Sequence, residues 1–172
     1  VGDTQSFTAI AYDNLNNPIS GIDFIWTTDI GAIDASGLFT AQAIPGTGIV
    51  TATNGSIFYS AIVTVIPGAI DHIEVLPDPA DIGVGETQLF TAIAYDIYNN
   101  VIPSVDFIWT TDVGSIDGSG LFTAQTILGA GIVTARNGTI SDSAVINIVE
   151  GAINYIIVTP DPVTVVVGMT QA

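Results

Sequence analysis

An all-β fold is predicted for this 172-residue chain, and three observations carry the expectation. Threonine, valine, isoleucine and aromatic residues fill short runs in which apolar and polar positions alternate, the pattern of half-buried strands. Turn residues cut those runs at short intervals, with 18 glycines and 8 prolines in the chain, and no segment keeps a 3.6-residue period for three turns. The chain also repeats itself. A shift of 83 residues aligns 1–83 with 84–166 without a gap, and 51 of the 83 positions are identical. FTAIAYD stands at 7–13 and 90–96, DFIWTTD at 23–29 and 106–112, and SGLFTAQ at 36–42 and 119–125. Such a period indicates tandem copies of one β-domain, a sandwich or barrel.

Alternation assigns each strand a face, because successive side chains point to opposite sides. In 7–13, Phe7, Ala9 and Ala11 face inward and Ile10 and Tyr12 outward. In 22–27, Ile22, Phe24 and Trp26 face inward and Ile25 outward, and the small Ala9 and Ala11 leave room for the Trp26 indole. Further strands are expected near 38–42, 48–53 and 60–66, the last with Ala61, Val63 and Val65 inward. Asn54-Gly55 and Asn137-Gly138 read as type I′ hairpin turns, whose two central residues need positive φ. The run 69–76, followed by Pro77-Asp78-Pro79, precedes FTAIAYD of the second copy. Its equivalent, 152–159 with Pro160-Asp161-Pro162, follows that copy. The folding unit is therefore expected to be offset from the repeat frame. Residues 1–67 form a first sandwich without its own opening strand, 68–150 a complete second one, and 151–172 the opening of a third.

Composition excludes several classes of function. Seventeen acidic residues against a single arginine give a net charge of −16, which argues against nucleic acid and anionic lipid as partners. There is no cysteine, hence no disulfide framework and no thiolate metal site. No apolar run approaches the 18 residues of a membrane-spanning helix, so no membrane insertion is expected in this segment. The basic and apolar regions of a signal peptide are also missing, and the chain reads as a processed product or a window of something longer. Without cysteine or lysine and with one histidine, most nucleophile–base pairs cannot be built. His72 is replaced by Tyr155 in the next copy, and Asp29/Asp34 and Asp112/Asp117 flank short turns. No catalytic residue is assigned and no enzymatic activity is expected.

The order VG-TQ-F-A-A-YD, a W-T-T-D strand, a D-x-SGLFTA hairpin, G-x-G-I-V-TA-x-NG and a closing S-A-x-V-x-V resembles the bacterial and archaeal immunoglobulin-like repeats of cell-surface proteins, of invasin and intimin type and of surface layers. The resemblance covers both repeats. The second copy departs mildly at its close, Ser143-Ala144-Val145-Ile146-Asn147-Ile148. It implies tandem immunoglobulin-like β-sandwiches without an inter-sheet disulfide, a core aromatic at Trp26 and Trp109, and rod, spacer or adhesive roles outside the cell. The expected function is a structural repeat of an extracellular, cell-surface rod or filament, with an adhesive module for a receptor or glycan as the alternative.

Four groups of candidate residues remain. Asp13 with Asn16, and Asp96 with Asn99, are oxygen-rich loops weighed for Ca²⁺, although neither follows a D-x-D-x-D-G pattern. No other cofactor is expected. Asn54 and Asn137 lie in Asn-Gly-Ser and Asn-Gly-Thr sequons at hairpin tips. The outward apolar residues Ile10, Tyr12, Ile25, Ile93, Tyr95 and Ile108 are candidates for lateral bundling of rods. Ile153, Tyr155, Ile157, Val165 and Val167 are candidates for a strand donated head-to-tail to a neighbouring copy of the chain.

Overall fold

The computed structural model describes residues 2–159, 161–165 and 168. Its strands are, in order, β1 (Thr4–Ser6), β2 (Ala11–Tyr12), β3 (Pro18–Ile19), β4 (Ile25–Thr28), β5 (Ala32–Ile33), β6 (Leu38–Thr40), β7 (Gly46–Asn54) and β8 (Ile57–Val65). A second set follows: β9 (His72–Leu76), β10 (Ala80–Gly83), β11 (Thr87–Leu89), β12 (Thr91–Tyr95), β13 (Val101–Ile102), β14 (Ile108–Thr111), β15 (Ser115–Ile116), β16 (Leu121–Thr123), β17 (Gly129–Asn137) and β18 (Ile140–Val149). The fold is all-β, and no helix among the described residues is long and apolar enough to cross a membrane.

In the second set, β10-β18-β17-β14 form one layer. The other is β13-β12-β9, continued through Phe90 into β11-β16-β15. Phe90, Ala94 and Phe122 from one layer meet Val133, Ala135, Ala144 and Ile146 from the other, all buried. Phe90 and Phe122 pack edge-to-face at 6.2 Å, the arrangement aromatic quadrupoles favour. Gly120 (φ 86°) is needed beneath the tryptophan, because a Cβ there would come within 3.1 Å of the Trp109 ring. That is the physical content of the SGLFTA hairpin.

The opening segment of this sandwich joins both layers. β9 lies antiparallel to β12, with Ile73 opposite Ala94 and Val75 opposite Ala92. β10 lies parallel to β18, with Ala80 opposite Ile146 and Ile82 opposite Ile148. Pro77 and Pro79 between them cannot donate to a ladder, so the chain leaves one sheet and enters the other there. Two carboxylates hold the crossing: Asp78 Oδ1 accepts from Val145 N at 2.8 Å, and Asp142 Oδ2 accepts from Val75 N at 2.8 Å.

The first set repeats this plan as β4-β7-β8, β1-β6-β5 and β2-β3, but nothing among the described residues lies where β9 and β10 would. The effect on identical sequence is direct. FTAIAYD forms the five-residue β12 in one unit and only the two-residue β2 in the other, because a strand needs a partner for its N–H and C=O groups. Phe7, Ala61 and Val63 are half-buried, whereas their equivalents Phe90, Ala144 and Ile146 are fully buried.

The hairpin turns differ from expectation. Asn54 pairs with Ile57 and Asn137 with Ile140, so Gly55-Ser56 and Gly138-Thr139 are the two loop residues. Positive φ is found at Gly55 (60°) and Gly138 (59°), not at either asparagine. This is the φ pattern of a type II′ turn, with glycine first, rather than type I′. The asparagine instead closes the strand and donates its amide elsewhere.

Candidate assembly surface

The side of the first sandwich that β9 and β10 occupy in the second is an open groove. One part, about 380 Å³, is lined by Phe7, Ala9, Trp26, Ala52, Tyr59 and Ala61. It continues into a second part of about 400 Å³ along Phe39, Val63 and Val65. The floor is core side chains. One wall is the 7–12 run and the other is the edge of β8, which pairs with no strand on that side among the described residues.

The segment 151–165 is the repeat equivalent of the one that seals the second sandwich. Its described residues, 151–159 and 161–165, are in no strand, and Ile153, Tyr155, Ile157 and Val165 are exposed. Val167 lies outside the described residues. The 83-residue shift corrects which of its side chains match a core. Tyr155 and Ile157 correspond to His72 and Glu74, on the outer face. Ile156 and Val158, 81% and 75% exposed, correspond to Ile73 and Val75, 6% and 2% exposed. Sequence reading passed over Ile156 and Val158, although Ile-x-Val at 73–75 recurs there unchanged. Val165 corresponds to buried Ile82, and Val163 to buried Ala80.

The outward apolar residues divide by unit and by sheet. Ile10, Tyr12, Ile25 and Ile108 are exposed. Ile93 and Tyr95 are only half-buried rather than outward and free. The cause is β9: His72 stacks on Tyr95 at 5.0 Å, and the Tyr95 hydroxyl donates to Glu74 Oε2 at 3.0 Å. That carboxylate raises the Tyr95 pKa. Ile10 and Tyr12 are bare because no strand among the described residues lies beside them as β9 lies beside β12. Ile25 belongs to the other sheet, where Ile49 and Ile62 pair on the same face.

Both oxygen-rich loops are built as turns around a carboxylate. Asp13 Oδ1 accepts from Leu15 N and Asn17 N, and Oδ2 from Asn17 Nδ2. Asn16 and Asn99 supply the positive φ the turn requires, 63° and 61°. Asp96 repeats these contacts with Tyr98 N, Asn100 N and Asn100 Nδ2, and adds Gly68 N on Oδ2 at 2.9 Å. Among the described residues no three acidic or histidine side chains converge in a geometry that could hold a metal ion.

Asp96 is fully buried. Burial pushes its pKa up, but the donors from Asn100, Gly68 and Tyr98 outweigh this and hold it far below the ordinary carboxylate range. At Asp13 the Asn17 side chain and the Asn17 and Leu15 amides lower it in the same way. A depressed carboxylate stabilises the fold above its unfolded pKa, and the contribution is lost as pH falls through the folded one. Wild-type stability should therefore drop on acidification below about pH 4, and Asp96→Asn should flatten that drop. At neutral pH the new amide opposes Gly68 N–H, so Asp96→Asn should lower Tm by several degrees, more than Asp13→Asn. Thermal unfolding at pH 6 and pH 3 measures both, and equal pH profiles for wild type and Asp96→Asn would refute the assignment.

The remaining candidates have local roles. Asn54 Nδ2 donates to Asp23 O and Asn137 Nδ2 to Asp106 O, both at 2.9 Å, bridging to the irregular segments that lead into β4 and β14. Asp29 Oδ1 accepts from Ile49 N, and Asp34 Oδ1 from Ser36 and Leu38. His72 Nδ1 lies 3.1 Å from Asp71 Oδ2.

No protein-family model matches the chain, and no curated protein matches it by sequence. Solved structures do match. The E. coli adhesin FdeC aligns with a TM-score of 0.57 at 17% identity, over 81% of this chain and 56% of that one. InvD of Yersinia pseudotuberculosis aligns with a TM-score of 0.50 at 24% identity, over 88% and 54%. The units are immunoglobulin-like β-sandwiches. Domains 4 and 5 of the S-layer protein SbsC also align, at 21% identity over 83% of this chain and 80% of that one, with a TM-score of 0.43. The chain spans a little over half of the FdeC and InvD structures. These immunoglobulin-like sandwiches are cysteine-free, and their core is closed by Phe–Phe and Trp–Gly packing.

Proposed function

We propose that the chain is a structural, non-enzymatic repeat segment of an extracellular rod or filament at a cell surface, built from immunoglobulin-like sandwiches stacked end to end. The observation that carries this reading is the joint between two nearly identical units. Only six residues separate β8, ending at Val65, from β9, starting at His72. Gly68 N is tied to buried Asp96, and Asn100 Nδ2 reaches back to Ala43 O of the first unit at 2.7 Å. A short linker fixed by hydrogen bonds and a contact across the joint favour a stiff string over beads on a flexible line. The likeness in fold to an E. coli adhesin supports a surface setting. Ile25, Ile49 and Ile62 on the outer sheet supply an apolar strip for side-by-side packing.

Chains of two, four and six repeats should give maximum dimensions in X-ray scattering that rise by a constant increment per repeat. A rise with roughly the square root of repeat number, as for a flexible chain, would refute the rod. An adhesive module would instead show one sharply divergent unit in the full gene.

A further inference from the structure

The outer face of the sheet β10-β18-β17-β14 is apolar along its middle and carries two charges, one towards each end. We infer that this face is a contact between two copies of the chain, laid face to face with their strands antiparallel. The inference rests on the stacked-rod reading and gives its side-by-side packing a partner and a register.

Alternation and burial define the face. Val133, Ala135, Ala144 and Ile146 point into the core, so Ile132, Thr134, Ser143 and Val145 between them point out. Ile132 pairs with Val145 and Thr134 with Ser143, and Ile108 on β14 lies opposite Arg136. Ile108, Ile132 and Val145 are 56%, 41% and 45% exposed. The Thr134 and Ser143 hydroxyls bond to each other at 2.7 Å, so the polar groups between the aliphatic ones are already partnered. A sheet face left to water is expected to be mostly polar. The first unit repeats the strip with Ile25, Ile49 and Ile62, all exposed. It stays apolar where β8 and β18 differ, Ile62 against Val145. The strip is independent of the groove, whose lining residues Trp26, Ala52 and Ala61 belong to the opposite face of the β4-β7-β8 sheet.

Charge identifies the partner. Arg136 and Asp81 are the only charged residues among the outward positions of these four strands. Arg136 is exposed and is the single lysine or arginine of the chain, yet among the described residues it forms no ion pair. Asp81 lies opposite Asn147, and Asn147 opposite Ala130, six residues along β17 from Arg136. That separation is about 20 Å, so the two charges cannot meet within one chain. Asp81 Oδ1 accepts from Asn147 Nδ2 at 2.8 Å, which leaves Oδ2 for another donor. Turned end for end, a second copy brings its Asp81 to the Arg136 end and its Arg136 to the Asp81 end. The result is two equal ion pairs about a two-fold axis, each of the arginine–carboxylate kind that favours paired hydrogen bonds. A neutral surface would leave Arg136 without an anion. A copy approaching on any face without Arg136 would bring the repulsion of a net charge of −16 and no lysine or arginine to offset it.

Strand lengths and spacings give the face roughly 430 Å² on each copy. The pair then buries about 850 Å², short of the ~1,200 Å² at which standard stable interfaces begin. One such contact is weak, and repetition between neighbouring rods multiplies it.

The test uses the full chain in sedimentation equilibrium, carried to high concentration. A weak dimer is expected. Arg136→Asp and Asp81→Arg, both at exposed positions, should each raise its dissociation constant at least about tenfold, because like charges then face each other at both ends. Asp81→Arg should do so although it lowers the net negative charge. Mixing the two variants should restore association, since a mixed pair regains one cation and one anion at each end. Ile132→Ser should weaken the dimer with no change of charge. A chain that stays monomeric at every concentration overturns the contact. So do dimers indifferent to both charge substitutions, and mixtures no tighter than the single variants. Association lost only in Ile25→Ser with Ile62→Ser would place the contact on the first unit and overturn it as well. Any of these results beside multi-repeat chains that scatter as rods would sink the contact and leave the rod standing. Multi-repeat chains that behave as flexible strings would sink the rod.

Discussion

Phe122→Ala is expected to destabilise the second sandwich by about 3–5 kcal/mol, the range for truncating a large buried aromatic. Phe122 is fully buried, stacked edge-on against Phe90, and its ring lies against Gly114, where even a Cβ would come within 2.9 Å of it. Neighbours that are already closed on every side, by β9, β10 and both layers, cannot collapse into the void. The same substitution at Phe39 removes an equivalent contact, Phe39 with Phe7 at 6.1 Å. There the adjoining groove already admits solvent, so the new space is continuous with water and the penalty should fall at or below the low end of that range. Each sandwich carries one tryptophan, Trp26 or Trp109. Urea unfolding of Trp26→Phe and Trp109→Phe backgrounds, followed by fluorescence, reports the two units separately. Equal losses at Phe39 and Phe122 would show that the open groove does not soften the first core.

The parts of the fold legible in the sequence were those that depend on neighbours close in the chain or on strict alternation. Phe7, Ala9 and Ala11, and Ile22, Phe24 and Trp26, point inward as their period of two requires. The second-copy equivalents of β8, Ala144, Ile146 and Ile148, are buried. What alternation cannot supply is the identity of a strand's partner. That is why 7–13 looked like one strand in both copies and is a full strand only where β9 lies beside it. It is also why Ile93 and Tyr95 look free in the sequence, although Glu74 and His72, their partners on β9, lie opposite them. Ile156 and Val158, whose repeat equivalents are buried, escape notice for a related reason. Tyr155 and Ile157 are the more eye-catching apolar residues, but the phase is set by Ile73 and Val75, which the register of β9 on β12 turns toward the core. The turn type was missed because Asn-Gly suits two registers, and the hairpin pairing, not the dipeptide, decides which residues form the loop.

Val75→Asp in the second sandwich tests how far a unit depends on its opening strand. Val75 is 2% exposed, and a carboxylate there has no partner in the surrounding apolar core. Held in place, it would cost several kcal/mol as an uncompensated buried charge. The fold has a cheaper response: β9 lies at the edge of its sheet and can detach, carrying the carboxylate into water. The loss is then capped by what β9 contributes through Ile73 and Val75, about 3–6 kcal/mol for two buried aliphatic side chains. The first sandwich shows the end state, a unit with β4-β7-β8 and β1-β6-β5 intact beside an open groove. Hydrogen exchange should therefore show protection lost along Thr91–Tyr95 and at Val145 N, whose acceptor is Asp78, while β14, β16 and β17 stay protected. The variant should also gain affinity for a synthetic peptide of residues 69–83, which restores the missing strand in trans. Global unfolding without a protected remnant would mean that an immunoglobulin-like unit of this kind cannot stand with its groove open. The first sandwich would then need its groove filled before it could fold.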